Sequence, residues 1–267
     1  MIKFASRLVR ASSIGSGRAA VALLAVVCMH ASSVPAAEAR LNVLSPRNLA
    51  MPRPAAPFNL TGSWKLAMSG PNSGYLFDPV PALTPVAQKE YDAMLKAKSE
   101  GKEYRDDAAD CYPPGMPRFM TRVWPTMVVQ LPTAVLLIQG FERKARWIFT
   151  DGREHTPYDV MVPSFDGESI GRWERDSLVA ETKGLRADHH WMQPGVPISE
   201  ELKIVERFRM LPAGDAFEVD FTFTDPVNWK GEWKSTKRYL RVEEEVIGNE
   251  CIYADMQQLP SSSVNQR

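Results

Sequence analysis

The sequence predicts a mainly β fold: an antiparallel barrel with one external helix. Three observations carry this. Short apolar-alternating runs recur through the second half of the chain, and residues 216–224 show the pattern best. There Phe217, Val219, Phe221 and Phe223 fall on one face and Glu218, Asp220, Thr222 and Thr224 on the other. Gly, Pro and Asp punctuate these runs at short intervals, as hairpin turns require. Only one segment has convincing helical spacing. Hydrophobic residues make up 44% of the chain and seven are Trp, which is enough for a sizeable core. The 21 prolines belong mainly in connections, because proline breaks helices and central strands.

Residues 1–39 read as an export signal. Lys3, Arg7, Arg10 and Arg18 form a basic leader, and the apolar run from Ala19 to Met29 is too short for a stable membrane span. Ala37-Glu38-Ala39 fits a small-x-small cleavage site, so no membrane span is expected after signal removal. A periplasmic or secreted location follows. Cleavage would remove Cys28 and leave Cys111 and Cys251, which are expected to pair in an exported chain; two buried thiols are the alternative. Basic and acidic residues balance at 32 each without a basic stripe, so nucleic acid is not an expected partner.

Residues 40–57 read as a flexible or surface-hugging lead-in. The first strand opens at Phe58-Asn59-Leu60-Thr61-Gly62-Ser63-Trp64. Its Gly-x-Trp resembles the lipocalin signature, in which Gly permits close backbone approach and Trp plugs the closed end of the barrel. The helix follows over 84–96. Thr84 is the expected cap, Pro85 suits the first turn, Val86, Ala87, Tyr91, Met94 and Leu95 form one face, and Gly101 ends it. The loop Cys111-Tyr112-Pro113-Pro114-Gly115-Met116-Pro117-Arg118 is rigid and irregular. Hairpins are expected over 126–131 with 134–141 and over 169–173 with 177–182. Between them lie a strand at 145–150 and the turn Asp151-Gly152. A strand-like run carries Glu206, Arg207 and Arg209. One of these arginines either closes the barrel under Trp64 or is solvated. Strands at 216–224 and 231–242 follow, with a last short pairing at 251–253. Residues 258–267 read as a disordered tail.

Several pieces resemble a widespread family of exported bacterial proteins, mostly of unassigned function. They are the 111–118 loop, Ile148-Phe149-Thr150-Asp151-Gly152-Arg153-Glu154-His155, the run from Ser169 to Val179, Ser199-Glu200-Glu201-Leu202, and Glu206-Arg207-Phe208. The resemblance implies a lipocalin-like barrel and an exported life. The family pattern carries His where this chain has Glu168 and Ile198, which weakens the case for a shared multi-histidine site.

Two functions compete. One is an exported protein that binds a small apolar or aromatic molecule in a cavity lined by Trp and Phe. Its candidate ligand contacts are Arg118, Trp191, Trp173, Tyr112 and Glu168. The other is a cofactor-independent lyase, isomerase or hydratase. There His189 or His190 acts as acid and base, Asp188 orients it, Arg118 supplies charge, and His155 sits at a strand end near the barrel mouth. No His-x-His or His-Glu-x-x-His spacing occurs, so no metal and no cofactor is expected. Gly167-Glu168-Ser169-Ile170-Gly171 matches a nucleophile-elbow pattern, but a helix should follow the Ser and here a strand does. A bend entering that strand is the expected role.

Overall fold

The computed structural model describes residues 40–246 apart from 103, 105 and 141–143, together with 248 and 251. The expected export signal and the polar tail lie outside the described residues, as do 252 and 253 of the expected last pairing.

The fold is mainly β, a lipocalin-like closed barrel. Its strands are β1 (Gly62–Leu66), β2 (Thr126–Gln130), β3 (Ala134–Gln139), β4 (Ala145–Phe149), β5 (Glu168–Glu174), β6 (Ser177–Lys183), β9 (Lys203–Met210), β10 (Ala216–Thr224) and β11 (Trp233–Val242). A separate two-stranded ribbon, β7 (Trp191–Gln193) with β8 (Val196–Pro197), interrupts the series. Around the barrel the order is β1-β11-β10-β9-β6-β5-β4-β3-β2, and β2 pairs with β1 to close it. Closure leaves none of the nine barrel strands with an edge open to pairing with another chain.

Neighbours in the barrel are antiparallel except β4 and β5, which run parallel through Ile148↔Ser169 and Phe149↔Ile170. A parallel pair needs a crossover rather than a tight turn. Residues 150–167 supply it, so the expected all-antiparallel pairing is broken at one seam.

Helix α1 (Pro46–Leu49) lies in the lead-in, which packs against the barrel: Asn48 is buried and donates to Asp151 Oδ2 at 2.9 Å. Helix α2 (Pro85–Ser99) covers the expected segment with a narrower buried face. Ala87 is buried and Tyr91 and Met94 half-buried, but Val86 and Leu95 are exposed. Thr84 does not cap the helix through its side chain; its hydroxyl donates to Val227 O at 2.9 Å and ties the helix start to the 225–229 turn.

Residues of the long connection between β1 and β2 fill the barrel from within. Gln139 Nε2 donates to Phe119 O, and the Tyr239 hydroxyl donates to Met120 O at 2.7 Å. Phe77 packs edge-on against Phe221 and Phe223 at 5.4 and 4.9 Å. The space left between Trp64, Met120, Phe217 and Tyr239 is about 10 Å³, at most one water. The expected ligand cavity lined by Trp and Phe is therefore occupied by the chain's own side chains.

Trp64 is buried and its indole N–H donates to Leu60 O at 2.7 Å. The arginine that covers it is Arg241, whose guanidinium lies 4.1 Å from the ring centroid. Arg207 and Arg209 point outward instead, to Glu174 at 2.9 Å and Asp220 at 2.7 Å, because strand alternation turns Glu206 and Phe208 inward.

Candidate functional site

The candidate residues separate into four neighbourhoods. The first surrounds Asp107, a buried carboxylate beside the 111–118 loop. It accepts from the Trp191 indole N–H at 2.9 Å, and His189 Nδ1 lies 3.6 Å away. The His189 ring stacks on Tyr112 with centroids 3.9 Å apart. Cys111 and Cys251 form a disulfide next to this group, so the expected pairing is realised. Tyr112, His189 and Trp191 thus do come together, around a carboxylate that the sequence reading passed over.

His189 and His190 diverge. His189 has φ 56°, a left-handed turn that sends successive side chains to different sides. His190 is buried, with Nδ1 2.9 Å from Arg186 O and its ring 5.3 Å from Phe165. Burial pushes its imidazole down to about 4, which the neighbouring charges of Arg118 and Arg186 reinforce. Asp188 orients neither ring through a hydrogen bond. It is 60% exposed and both its oxygens accept from Arg186, which lies two residues upstream and reaches it without any tertiary contact. The expected catalytic grouping of His189, His190 and Asp188 is corrected on this geometry.

The second neighbourhood is His155 on the crossover. Its Nδ1 lies 3.1 Å from Glu168 Oε2, and its Nε2 lies 3.5 Å from Glu181 Oε1. Burial opposes ionisation of Glu168, but the Thr156 N–H and hydroxyl, with His155, hold its carboxyl below the ordinary range. Alternation puts this group outside the barrel, since Ser169 and Thr182 beside it turn inward. Ser169 is no elbow nucleophile: its hydroxyl accepts from Arg146 and shares a 2.8 Å hydrogen bond with Thr182. Arg146 and Glu206 form a fully buried pair at this level of the interior, 1% and 0% exposed. Neither residue stands out in the sequence as a core group. No group of three or more His, Cys, Asp or Glu able to hold a metal occurs among the described residues.

The third is a cleft of about 390 Å³ that includes Arg118 and Trp124. Arg118 grips Asp106 through both oxygens, Nη1 to Oδ1 at 2.8 Å. Burial works against the Asp106 charge, yet this pairing keeps its carboxyl low. A structural acid therefore takes up Arg118, and its expected role toward a ligand is corrected accordingly.

The fourth is a cleft of about 650 Å³ between the lead-in and the barrel rim. Met51, Arg53 and Pro54 form one wall; Leu131, Pro132 and Trp173 form the other. Trp173 is held edge-on against Phe58 at 5.2 Å. The lead-in is pinned by a polar chain. Ser45 caps α1 at the Asn48 N–H, Asn48 Nδ2 reaches Asp151, and Asp151 accepts Arg153 at 2.8 and 2.6 Å. Arg153 in turn covers the Phe149 ring at 4.0 Å. Burial of Asp151 is outweighed by the hydrogen bonds from Arg153 and Asn48, so its carboxyl titrates below the usual value. Trp173 is the one candidate ligand contact that borders this cleft. The lead-in half was missed because its Pro and Ala residues lack periodicity.

A scan against protein-family models finds no match, and a search of curated proteins returns no similar sequence.

Proposed function

We propose that the protein binds a small apolar or aromatic molecule, and that it does so in the cleft between the lead-in and the barrel rim. The observation that carries this reading is the cleft itself. Its volume of about 650 Å³ lies within the range of small-molecule sites, and apolar side chains dominate its walls. Between Trp64, Met120, Phe217 and Tyr239 the barrel interior leaves only about 10 Å³, too little for such a molecule. None of His155, His189 and His190 borders the 650 Å³ or the 390 Å³ cleft, which favours binding over acid–base catalysis. An exported life fits the Cys111–Cys251 disulfide, since such bridges persist in oxidising compartments.

The test fills the cleft. Ala55 borders it and is exposed, so Ala55→Trp adds bulk there without entering the core. The neutral fluorescent probe N-phenyl-1-naphthylamine is expected to brighten on titration with residues 40–267. The Ala55→Trp variant should weaken this at least tenfold at an unchanged melting temperature. Equal probe binding by both proteins would place the ligand elsewhere and sink the assignment.

A further inference from the structure

The charges along the 650 Å³ cleft are unequal in kind. Asp151, the one carboxylate on its walls among the described residues, is neutralised by Arg153. Arg172 is neutralised by Glu174 at 2.6 Å. Arg53 is different, because every hydrogen bond it makes among the described residues goes to a neutral acceptor. Nη1 donates to Asn48 O at 2.6 Å and to Met51 O at 3.1 Å, and Nη2 donates to Asn48 Oδ1.

A guanidinium has five N–H donors. The end edge of Arg53 is spent on Asn48. The side edge, Nε–H with the second Nη2–H, has no acceptor among the described residues, and the side chain is only half-buried. Two parallel N–H groups at that spacing match the two oxygens of a carboxylate. The grip on Asn48, itself buried against Asp151, fixes the plane of the group in advance. Ordering entropy that binding would otherwise cost is therefore already lost on folding. The wall holds a second unmet polar group: the Thr150 hydroxyl is buried without a hydrogen-bond partner.

We propose that the ligand is an apolar or aromatic carboxylic acid, its carboxylate on the side edge of Arg53 and its apolar body against Trp173 and Pro132. This rests on the cleft being the binding site. Arg118, on the 390 Å³ cleft, is unsuited to the same task because Asp106 already fills its fork.

Three probes of one shape separate the possibilities: 2-naphthoic acid, 2-naphthamide and 2-naphthylmethylamine, titrated calorimetrically into residues 40–267 at low salt. The acid should bind at least tenfold tighter than the amide, and the amine weakest. Arg53→Met should bring the acid down to the level of the amide, and Arg53→Lys should restore part of the preference, as charge without the fork. Melting temperatures confirm that both variants fold. Acid and amide binding alike to the unaltered protein would overturn the carboxylate assignment while leaving the cleft in place. A preference that survives Arg53→Met would overturn the role of Arg53. No binding of any probe at millimolar concentration would overturn the cleft reading, and this inference with it.

Discussion

His190 has its ring against Gly115 and Phe165, and a Cβ on Gly115 would lie 2.4 Å from His190 Nε2. The close packing excludes water, so the neutral imidazole is the form the fold accepts. Its folded value of about 4 lies below the ordinary 6.5, so between those pH values the unfolded chain binds the extra proton. Stability therefore falls as pH drops from about 6.5 toward 4, by about 3 kcal/mol at the lower end. Urea unfolding across that window measures it. His190→Gln should flatten the slope above pH 5; an unchanged slope would show that the proton is taken up elsewhere. The carboxylates of Asp106, Asp151 and Glu168 are lowered and act in the opposite position on the scale. Their contribution is present above the ordinary carboxylate range and is lost as pH falls further. Divergence of His189 and His190 was not legible in the sequence, because it depends on one left-handed residue whose neighbours are supplied by the 111–118 loop.

At the scale of elements, the opening of β1 shows how a three-residue motif acquires physical content. Gly62 has φ +146°, and a Cβ there would lie 2.4 Å from Arg241 Nη1. The absent side chain lets the last barrel strand bring Arg241 over Trp64 and donate to Thr61 O at 3.2 Å. Gly62→Ala should destabilise the barrel by about 1–3 kcal/mol, through backbone strain and loss of that seat. Comparing Gly62→Ala, Arg241→Ala and the double variant by urea unfolding separates the two causes. Strong non-additivity is expected, and strict additivity would show that Arg241 is not what the glycine accommodates. Helix α2 was legible from its spacing, but its buried face was not. Residues 94 and 195 decide that face: Gly195 sits so close that a Cβ on it would meet Met94 Cβ at 2.6 Å.

At the scale of the whole molecule, the disulfide joins residues 140 apart, from the loop beside Asp107 to the end of the described chain. Closing so long a loop removes entropy from the unfolded state, worth about 5 kcal/mol in the chain-entropy account. Cys111→Ser with Cys251→Ser should lower the melting temperature by several degrees, and reductant should do the same to the unaltered protein alone. Equal melting of the oxidised protein and the double variant would show that the bridge adds nothing. The bridge also holds Cys251 beside the loop that carries Tyr112, so the Tyr112–His189 stack at 3.9 Å should loosen with it.

The barrel, most strand positions, the one long helix among the described residues and the expectation that Cys111 pairs with Cys251 came from the sequence alone. Alternation, turn residues and helical spacing are local patterns, and if the expected export signal is cleaved two cysteines remain to pair with each other. Only the tertiary structure decided where space remains. Whether a barrel is hollow depends on what its long connections insert, and Phe77, Phe119 and Met120 come from segments with no period to read. The buried Arg146–Glu206 pair likewise joins strands 60 residues apart, and a charged residue looks the same in sequence whether it faces core or solvent. The cleft at Arg53 is bounded where Asn48 and Asp151, 103 residues apart, meet and hold the lead-in to the barrel. Distance along the chain carries no trace of that contact, so the residues of the lead-in came to line this cleft only once the chain had folded.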